Sequence, residues 1–296
     1  MKKPNFFIIG APKCGTTSMA EWLRTHPQIF MSDPKEPWFF NTDHKTEQAL
    51  SLEQYLYLFS GAEEKHLAVG EASSVYLFSH VAVKNLMEFQ PQAKLIVMLR
   101  NPVEMAASWH AQEVRGEVEH IRDFEQAWQV RNKRELLKMN GERGRYPVDI
   151  QFLNYEKICK LGEQVDRLLK TVDSKSVLFL IMDDLKSDPL KVYKHVLNFL
   201  NVPYDGRSNF SVYNQATRPK SRILRRGLDL VSAAKQRLGI KRGTGLLSSF
   251  HKANTASFSP TKEISEELRR KLVNVFREDV ELLSRHLGRD FSGWLK

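Results

Sequence analysis

Short apolar runs punctuate this chain at wide intervals. Phe6 to Ile9, Leu95 to Leu99 and Val177 to Met182 each stop abruptly at polar or turn residues, which is the pattern of strands buried on both faces. Helical patterns separate them. The spacing predicts one helix over Ser18 to Arg24, stopping at His26-Pro27, and a second opened by Pro102, where a first turn tolerates the missing N–H. A third is capped by Asp188-Pro189 and runs to about Leu200. Strands alternating with helices and joined by crossovers imply an α/β fold, a mainly parallel central sheet flanked by helices on both faces. Such sheets bind ligands beyond the carboxyl ends of their strands, so the residues after Ile9, Leu99 and Met182 are where chemistry is expected.

Near the carboxyl end, Leu268, Leu272, Phe276, Val280, Leu283 and Leu287 recur at three- and four-residue spacing. They form one apolar stripe on a helix that ends near Gly288 and packs on the sheet. Internal repeats, low-complexity tracts and long linkers are not visible. A single domain over residues 1–296 is expected, with a basic lid or cap segment at about 214–256 inside it.

Composition narrows the class without naming it. At 296 residues, 42% hydrophobic and 27% charged, the chain is globular, and disorder and collagen-like structure are excluded. Lys+Arg of 45 against Asp+Glu of 35 gives a net charge of +10, which points to an anionic partner. The excess is local. Residues 218–242 hold nine basic residues, Arg218, Lys220 and Arg222 first among them, and one acid, Asp229. Ile223, Leu224, Leu228 and Val231 interleave at helical spacing, so a basic amphipathic helix near the mouth of a site is one reading. Contact with an anionic membrane surface, an acidic carrier protein or simply solvent are others. Nucleic acid is not an expected partner, because no recognised nucleic-acid module is present.

The two cysteines, Cys14 and Cys159, are too few for a disulfide framework and lack zinc-site spacing, which suggests a reducing compartment. Lys2-Lys3 followed by Phe6 to Ile9 is too short for a signal peptide, and no stretch approaches the roughly 20 apolar residues of a membrane span. A cytoplasmic protein is expected.

Gly10-Ala11-Pro12-Lys13-Cys14-Gly15-Thr16-Thr17 follows a strand and precedes a helix, the setting in which backbone N–H groups and a helix N-terminus converge on a phosphate. The glycines have the Walker A spacing, but Thr16 stands where an NTPase carries lysine, and Lys13 lies inside the loop. A plain strand–turn–helix junction explains the glycines. It does not explain a lysine and two hydroxyls at one anion site. The strand Leu95 to Leu99 delivers Arg100 where many P-loop NTPases deliver an aspartate near Mg²⁺, and a cation there suits a second phosphate rather than a metal. Ser108, within two turns of Pro102, is placed to join Arg100 on that anion; a surface salt bridge is the alternative for Arg100.

Taken together, Pro12-Lys13-Cys14-Gly15-Thr16-Thr17 and Arg100-Asn101-Pro102-Val103-Glu104 with Ser108 resemble the sulfotransferase family, whose sulfuryl donor is 3′-phosphoadenosine 5′-phosphosulfate (PAPS; product PAP). The closing segment, Phe276-Arg277-Glu278-Asp279 and Leu287-Gly288-Arg289-Asp290 with Trp294, is also similar. The resemblance is weakest over residues 110–150 and 205–260. It implies the P-loop-NTPase-like sulfotransferase fold and no required metal. It further implies that Pro12, Lys13, Cys14, Gly15, Thr16, Thr17 and Ser18 bind the 5′-phosphosulfate and that Arg100 and Ser108 bind the 3′-phosphate. A basic loop closes over the 3′-phosphate in relatives, which makes Arg218, Lys220 and Arg222 further expected contacts.

Sulfuryl transfer needs an in-line nucleophile, removal of its proton, and positive charge on the departing phosphate oxygen. Lys13 is the expected group for the leaving phosphate. For the base, Lys35-Glu36-Pro37-Trp38-Phe39-Phe40 stands out, because a carboxylate between prolines and aromatics is partly desolvated. This segment resembles the K-E-P-x-F-F motif of glycan-modifying and related bacterial branches, in which the glutamate is the base, whereas the steroid and phenol branch uses histidine. The bland alternative is a core-anchoring loop with a salt-bridged Glu36. Gly70-Glu71-Ala72-Ser73-Ser74-Val75-Tyr76 looks like a family segment lining the acceptor cleft, or equally a strand-edge loop. Ala72 replaces a lysine functional in several glycan-modifying members, which counts against a heparan-type acceptor. His44 and His110 lie near these motifs without metal-ligand spacing, and structural roles are expected for both.

Two other functions compete. A P-loop kinase or NTPase using Mg-ATP would draw on Met182-Asp183-Asp184, although the missing lysine after Gly15 opposes it and the two aspartates read better as caps of the next helix. A non-catalytic anion-binding protein would use the basic segment alone. The acceptor is open: a hydroxyl or amine of a glycan, lipid, polyketide, small-molecule or carrier-bound compound.

Overall fold

The computed structural model describes residues 2–44, 49–134, 150–213, 217–219, 255–257, 260 and 264–296. Five strands form the main sheet: β1 (Phe6–Gly10), β2 (Ile29–Met31), β3 (Ala68–Ala72), β4 (Lys94–Leu99) and β5 (Val177–Ile181). Their spatial order is β2-β3-β1-β4-β5, and every neighbouring pair is parallel. The mainly parallel α/β class expected from the alternation of runs is the observed one. All of Phe6, Phe7, Ile8 and Ile9 are fully buried, as a central strand covered on both faces requires.

Helices fill the crossovers: α1 (Thr16–Arg24), α2 (Leu52–Tyr57), α3 (Ala82–Phe89), α4 (Pro102–Arg115), α5 (Phe124–Val130), α6 (Tyr155–Cys159), α7 (Leu161–Thr171), α8 (Met182–Ser187), α9 (Pro189–Leu200) and α10 (Glu266–Leu287). Their starts follow capping chemistry. Asn101 accepts from Val103 N at 2.9 Å with Pro102 at the first position, and Asp188 accepts from Lys191 N at 2.9 Å with Pro189 behind it. Helix α10 stops at Gly288, which takes a left-handed φ of 58°.

After β1 the chain fills the β2–β3 side and then crosses β1 to build β4. The change of direction falls between β1 and β4, so the loops after Gly10 and Leu99 lie side by side at the carboxyl edge. Pairing slips by one residue between Ile8 and Gly10, and Ala11 N reaches Met98 O at 2.7 Å. That irregularity turns the chain out of the strand and into the loop.

The apolar stripe of α10 buries Leu268, Leu272, Phe276, Val280 and Leu283. Asp279 lies among them and accepts from the first amides of α7, Gly162 N at 2.9 Å and Glu163 N at 2.8 Å. Only glycine fits at 162, because a Cβ there would lie 2.1 Å from the Asp279 carbonyl oxygen. The family-like Phe276–Asp279 stretch therefore clamps α10 to α7.

Residues 1–214 with 264–296 form one compact unit and residues 215–263 another. In the second unit, β6 (Thr217–Pro219) and β7 (Thr255–Ser257) pair antiparallel, with Arg218 opposite Ala256. Lys220 and Arg222 lie outside the described residues, as does the rest of the basic stretch to residue 242. Among the described residues no helix is long and apolar enough to cross a membrane.

Candidate active site

Helix α1 begins without a capping side chain. Gly15 holds the N-cap position at a left-handed φ of 91°, and the first turn carries no acid. The positive φ favours glycine there, and a Cβ would come within 2.9 Å of Leu185 Cδ2, a side-chain end that would have to shift. The first amides of the helix and the positive end of its dipole face out of the loop, an arrangement that favours an anion. Lys13, at φ 64°, turns its side chain toward α4 and donates from Nζ to Gln112 Oε1 at 2.8 Å. Burial, helped by the Arg115 and Arg100 cations, holds its ammonium down at about 8. An anion placed among these cations would raise it again.

The other loop residues divide by what they offer. Thr16 is buried and Thr17 half-buried at the start of the helix. Cys14 is fully buried with its thiol against Pro12 O at 3.4 Å, and burial pushes that thiol up to about 12, so it serves packing and not nucleophilic attack. Ser18 is engaged from the other side: its hydroxyl accepts from Tyr213 N at 3.0 Å and sits 3.5 Å from Tyr213 O. The chain crossing back over α1 engages the oxygen expected to face the anion.

Arg100 emerges from β4 beside this loop. Its Nη1 donates to Lys13 O at 3.2 Å, while Nε and Nη2 hold Glu104 Oε2 at 3.0 and 2.7 Å. The two segments singled out in the sequence are thus tied to each other directly. Ser108 is buried further along α4, and Gln112 and Arg115 follow at four- and three-residue steps on the same face. Gln112 escaped the sequence reading, although its spacing from Ser108 marks it.

Glu36 lies at the mouth of β3, with its side chain 28% exposed. Each carboxylate oxygen accepts twice. Oε1 receives Lys35 Nζ and the Ser74 hydroxyl, and Oε2 receives Trp38 Nε1 at 2.9 Å and Ser74 N at 2.8 Å. The expected desolvated loop is therefore a carboxylate that is partly open to solvent and fixed by donors on all of its lone-pair directions. Its backbone is unusual as well: Glu36 and Trp38 have φ of 62° and 52°.

Behind it, Glu71 is fully buried on β3, in a strand and not a strand-edge loop. It accepts from the hydroxyls of Tyr55 at 3.0 Å, Tyr76 at 3.0 Å and Ser73 at 2.9 Å. Burial, opposed by these three donors, pushes its carboxyl up to about 7.

The residues that favoured other chemistry have structural work. Asp183 accepts from Trp294 Nε1 at 3.0 Å, and Asp184 accepts from Arg289 Nη2 at 2.8 Å. Neither caps α8, which starts at Met182 without a side-chain cap; both anchor the carboxyl-terminal segment. His44 is packed between Phe78 and Phe152 at 5.2 and 5.0 Å, and His110 Nε2 is 2.8 Å from Ile121 O. Burial lowers the His110 imidazole below its ordinary range. Both histidines are buried in packing contacts.

A parallel sheet with a glycine-flanked, lysine-bearing loop after β1 and an arginine after β4 defines the P-loop-like α/β class. Residues 3–218 match the family model of the Sulfotransferase domain, and the chain belongs to that family. It is similar to the crystal structure of a sulfotransferase from Alicyclobacillus acidocaldarius, with 25% identity, a TM-score of 0.73 and 100% of both chains covered. Mouse sulfotransferase SULT7A1 complexed with PAP shares the fold at 13% identity and a TM-score of 0.52, over 95% of this chain and 86% of that one. The membrane-associated sulfotransferase kil1 of Dictyostelium discoideum is 33% identical over 142 residues, 47% of this chain and 26% of that protein. Human carbohydrate sulfotransferase 15 is 32% identical over 143 residues, 34% of this chain and 26% of that protein. The chain spans about a quarter of the length of these two relatives.

Proposed function

We propose that this protein transfers a sulfuryl group from 3′-phosphoadenosine 5′-phosphosulfate to a hydroxyl or amine of an acceptor. The observation that carries the reading is the hydrogen bond from Arg100 to the backbone of Lys13, which joins two cationic segments at one sheet edge. That pairing suits a nucleotide with anions at both its 5′ and 3′ positions. An uncapped helix start, two positive-φ loop positions and no acid in the first turn fit the 5′ end.

In this reading, Pro12 to Ser18 hold the 5′-phosphosulfate, and Arg100 with Ser108 holds the 3′-phosphate. The basic stretch that includes Arg218, Lys220 and Arg222 carries charge suited to an anion, the donor's 3′-phosphate or an anionic membrane surface. When bound, the donor supplies a sulfuryl group whose S–O bond to the 5′-phosphate breaks in an in-line displacement. Lys13 carries the positive charge that meets the departing oxygen. Glu36 takes the proton of the acceptor. Lys35, on a flexible stem beside it, is the donor that must swing away to free a lone pair on Oε1.

The acceptor belongs among glycans, lipids, small molecules and carrier-bound compounds; relatives named for carbohydrate and heparan sulfate put glycans first in the order of testing. Two buried free thiols suit a reducing compartment, and a cytoplasmic location is part of the proposal. Nothing favours the kinase reading, since Asp183 and Asp184 are engaged by Trp294 and Arg289.

Titration calorimetry tests the donor. PAP is expected to bind in EDTA more tightly than ADP, which lacks the 3′-phosphate, and than Mg·ATP. Binding of Mg·ATP in preference to PAP would overturn the reading.

A further inference from the structure

We propose that Glu71 is a positioning residue for the general base: it fixes the hydroxyls of Tyr76 and Ser73 so that their oxygens hold the backbone of residues 38–40 and, through it, Glu36. The proposal rests on the reading of Glu36 as the base.

The segment that carries Glu36 needs an external hold. Glu36 and Trp38 both have left-handed φ values, which side-chain-bearing residues adopt only when their surroundings enforce it. Three amides of this segment end on two hydroxyl oxygens. Trp38 N donates to Ser73 Oγ at 3.3 Å, and Phe39 N and Phe40 N donate to Tyr76 Oη at 3.0 and 3.4 Å. A hydroxyl can serve an amide in this way only if its own proton points elsewhere. Both protons point at Glu71, Ser73 Oγ donating to Oε2 and Tyr76 Oη to Oε1.

An ionised carboxylate accepts and never donates, so it imposes one direction on every hydroxyl around it. Tyr55 supplies a third donor from α2, and its ring stacks on Phe39 at 4.2 Å, so the same hub also grips the segment through packing. The last link is Trp38, whose indole N–H meets Glu36 Oε2. The chain of contacts therefore runs from a buried carboxylate on a strand to the partly exposed carboxylate of Glu36.

A leucine or valine at position 71 would suit a buried strand as well and would leave the two hydroxyls free to rotate. The glutamate is the costlier choice for a core, because burying a carboxylate disfavours its charge. Its geometry accounts for its presence through the loop it holds.

The test uses full-length protein carrying 5-fluorotryptophan, which gives one ¹⁹F signal for each of the 5 tryptophans. Trp38→Phe assigns the Trp38 signal, and spectra are taken at alkaline pH, where Glu71 is anionic. In Glu71→Gln and in Tyr76→Phe, the Trp38 signal is expected to move by more than its linewidth while the other four stay in place and PAP affinity is unchanged. Ser73→Ala provides a third variant, and any one of the three that folds decides the matter. An unmoved Trp38 signal would overturn the proposal, as would displacement of all five signals together. Failure of all three variants to fold would also overturn it, because Glu71 would then hold the fold and not the segment. Turnover of Glu36→Gln reports separately on the base, so an active Glu36→Gln sinks that reading without touching the Trp38 result.

Discussion

Ser74 meets Glu36 at both carboxylate oxygens, its amide at Oε2 and its hydroxyl at Oε1, at 2.8 and 2.9 Å. Two donors from one residue fix the plane of the carboxylate, and a base held in one plane presents its lone pair in one direction. Glu36→Gln keeps the shape and removes the proton acceptor. Turnover is expected to fall by roughly 10²- to 10⁴-fold, the usual contribution of a general base, with PAP affinity unchanged. Steady-state rates beside a PAP titration check it, and unchanged turnover would remove Glu36 from the role.

Lys13 gives the donor site a pH dependence. Its ammonium is lowered to about 8 in the free protein by burial and by Arg115 and Arg100, and a bound phosphate would raise it. On the proposed assignment, protonated Lys13 is the binding form, so PAP affinity is expected to be flat below about 8 and to weaken above it, by up to about tenfold per pH unit. Lys13→Arg, charged throughout, should flatten the slope. A PAP Kd that stays constant across this range would contradict the assignment of Lys13 to the phosphate.

On the proposed assignment to the 3′-phosphate, Arg100 is expected to distinguish the two ends of the nucleotide. Removing a charge-assisted contact to the 3′-phosphate should weaken PAP by roughly 10- to 100-fold in Arg100→Ala. ADP, which lacks that phosphate, should lose much less. Equal losses for both nucleotides would show that Arg100 acts through its hydrogen bond to the Lys13 carbonyl instead.

Buried carboxylates set the pH profile of stability. Burial raises Glu71 and Glu113 from 4.5 to about 7 and Asp279 from 3.8 to about 6. The folded state thus binds more protons than the unfolded chain over this interval, and the contribution of these groups is full below the unfolded values and lost as pH rises through the folded ones. Glu113→Gln should stabilise the protein by about 1–3 kcal/mol above pH 8 and have little effect near pH 4. Denaturant melts at the two pH values measure this, and an equal effect at both would be the contrary result.

The reading of the chain went furthest where backbone chemistry decides structure. Gly15, Pro102, Asp188-Pro189 and Gly288 mark real boundaries because φ, caps and missing N–H groups act locally. Strands β2 and β3 were not legible. Ile29–Met31 is three residues long, and Ala68–Ala72 contains a glycine and a buried charge, so neither forms an apolar run. Lys13 and Arg100 were singled out by position, and Glu71 and Ser74 by their segment, whereas the contacts that Gln112, Ser74 and Glu71 make become visible only when residues distant in sequence meet. The contact of Ser18 was not legible for the same reason, since its partner Tyr213 lies 195 positions away. Asp183 and Asp184 likewise owe their role to Trp294 and Arg289, which no local pattern connects to them.

The most direct measurement incubates the protein with ³⁵S-labelled 3′-phosphoadenosine 5′-phosphosulfate in one arm and γ-³²P-labelled ATP with magnesium in the other. Both arms contain the same glycan, lipid and small-molecule extracts, and Glu36→Gln and Lys13→Ala serve as controls. Covalent transfer of ³⁵S by the wild type, lost in both variants, with no transfer of ³²P, is the expected result. Transfer of ³²P without ³⁵S would contradict sulfuryl transfer outright.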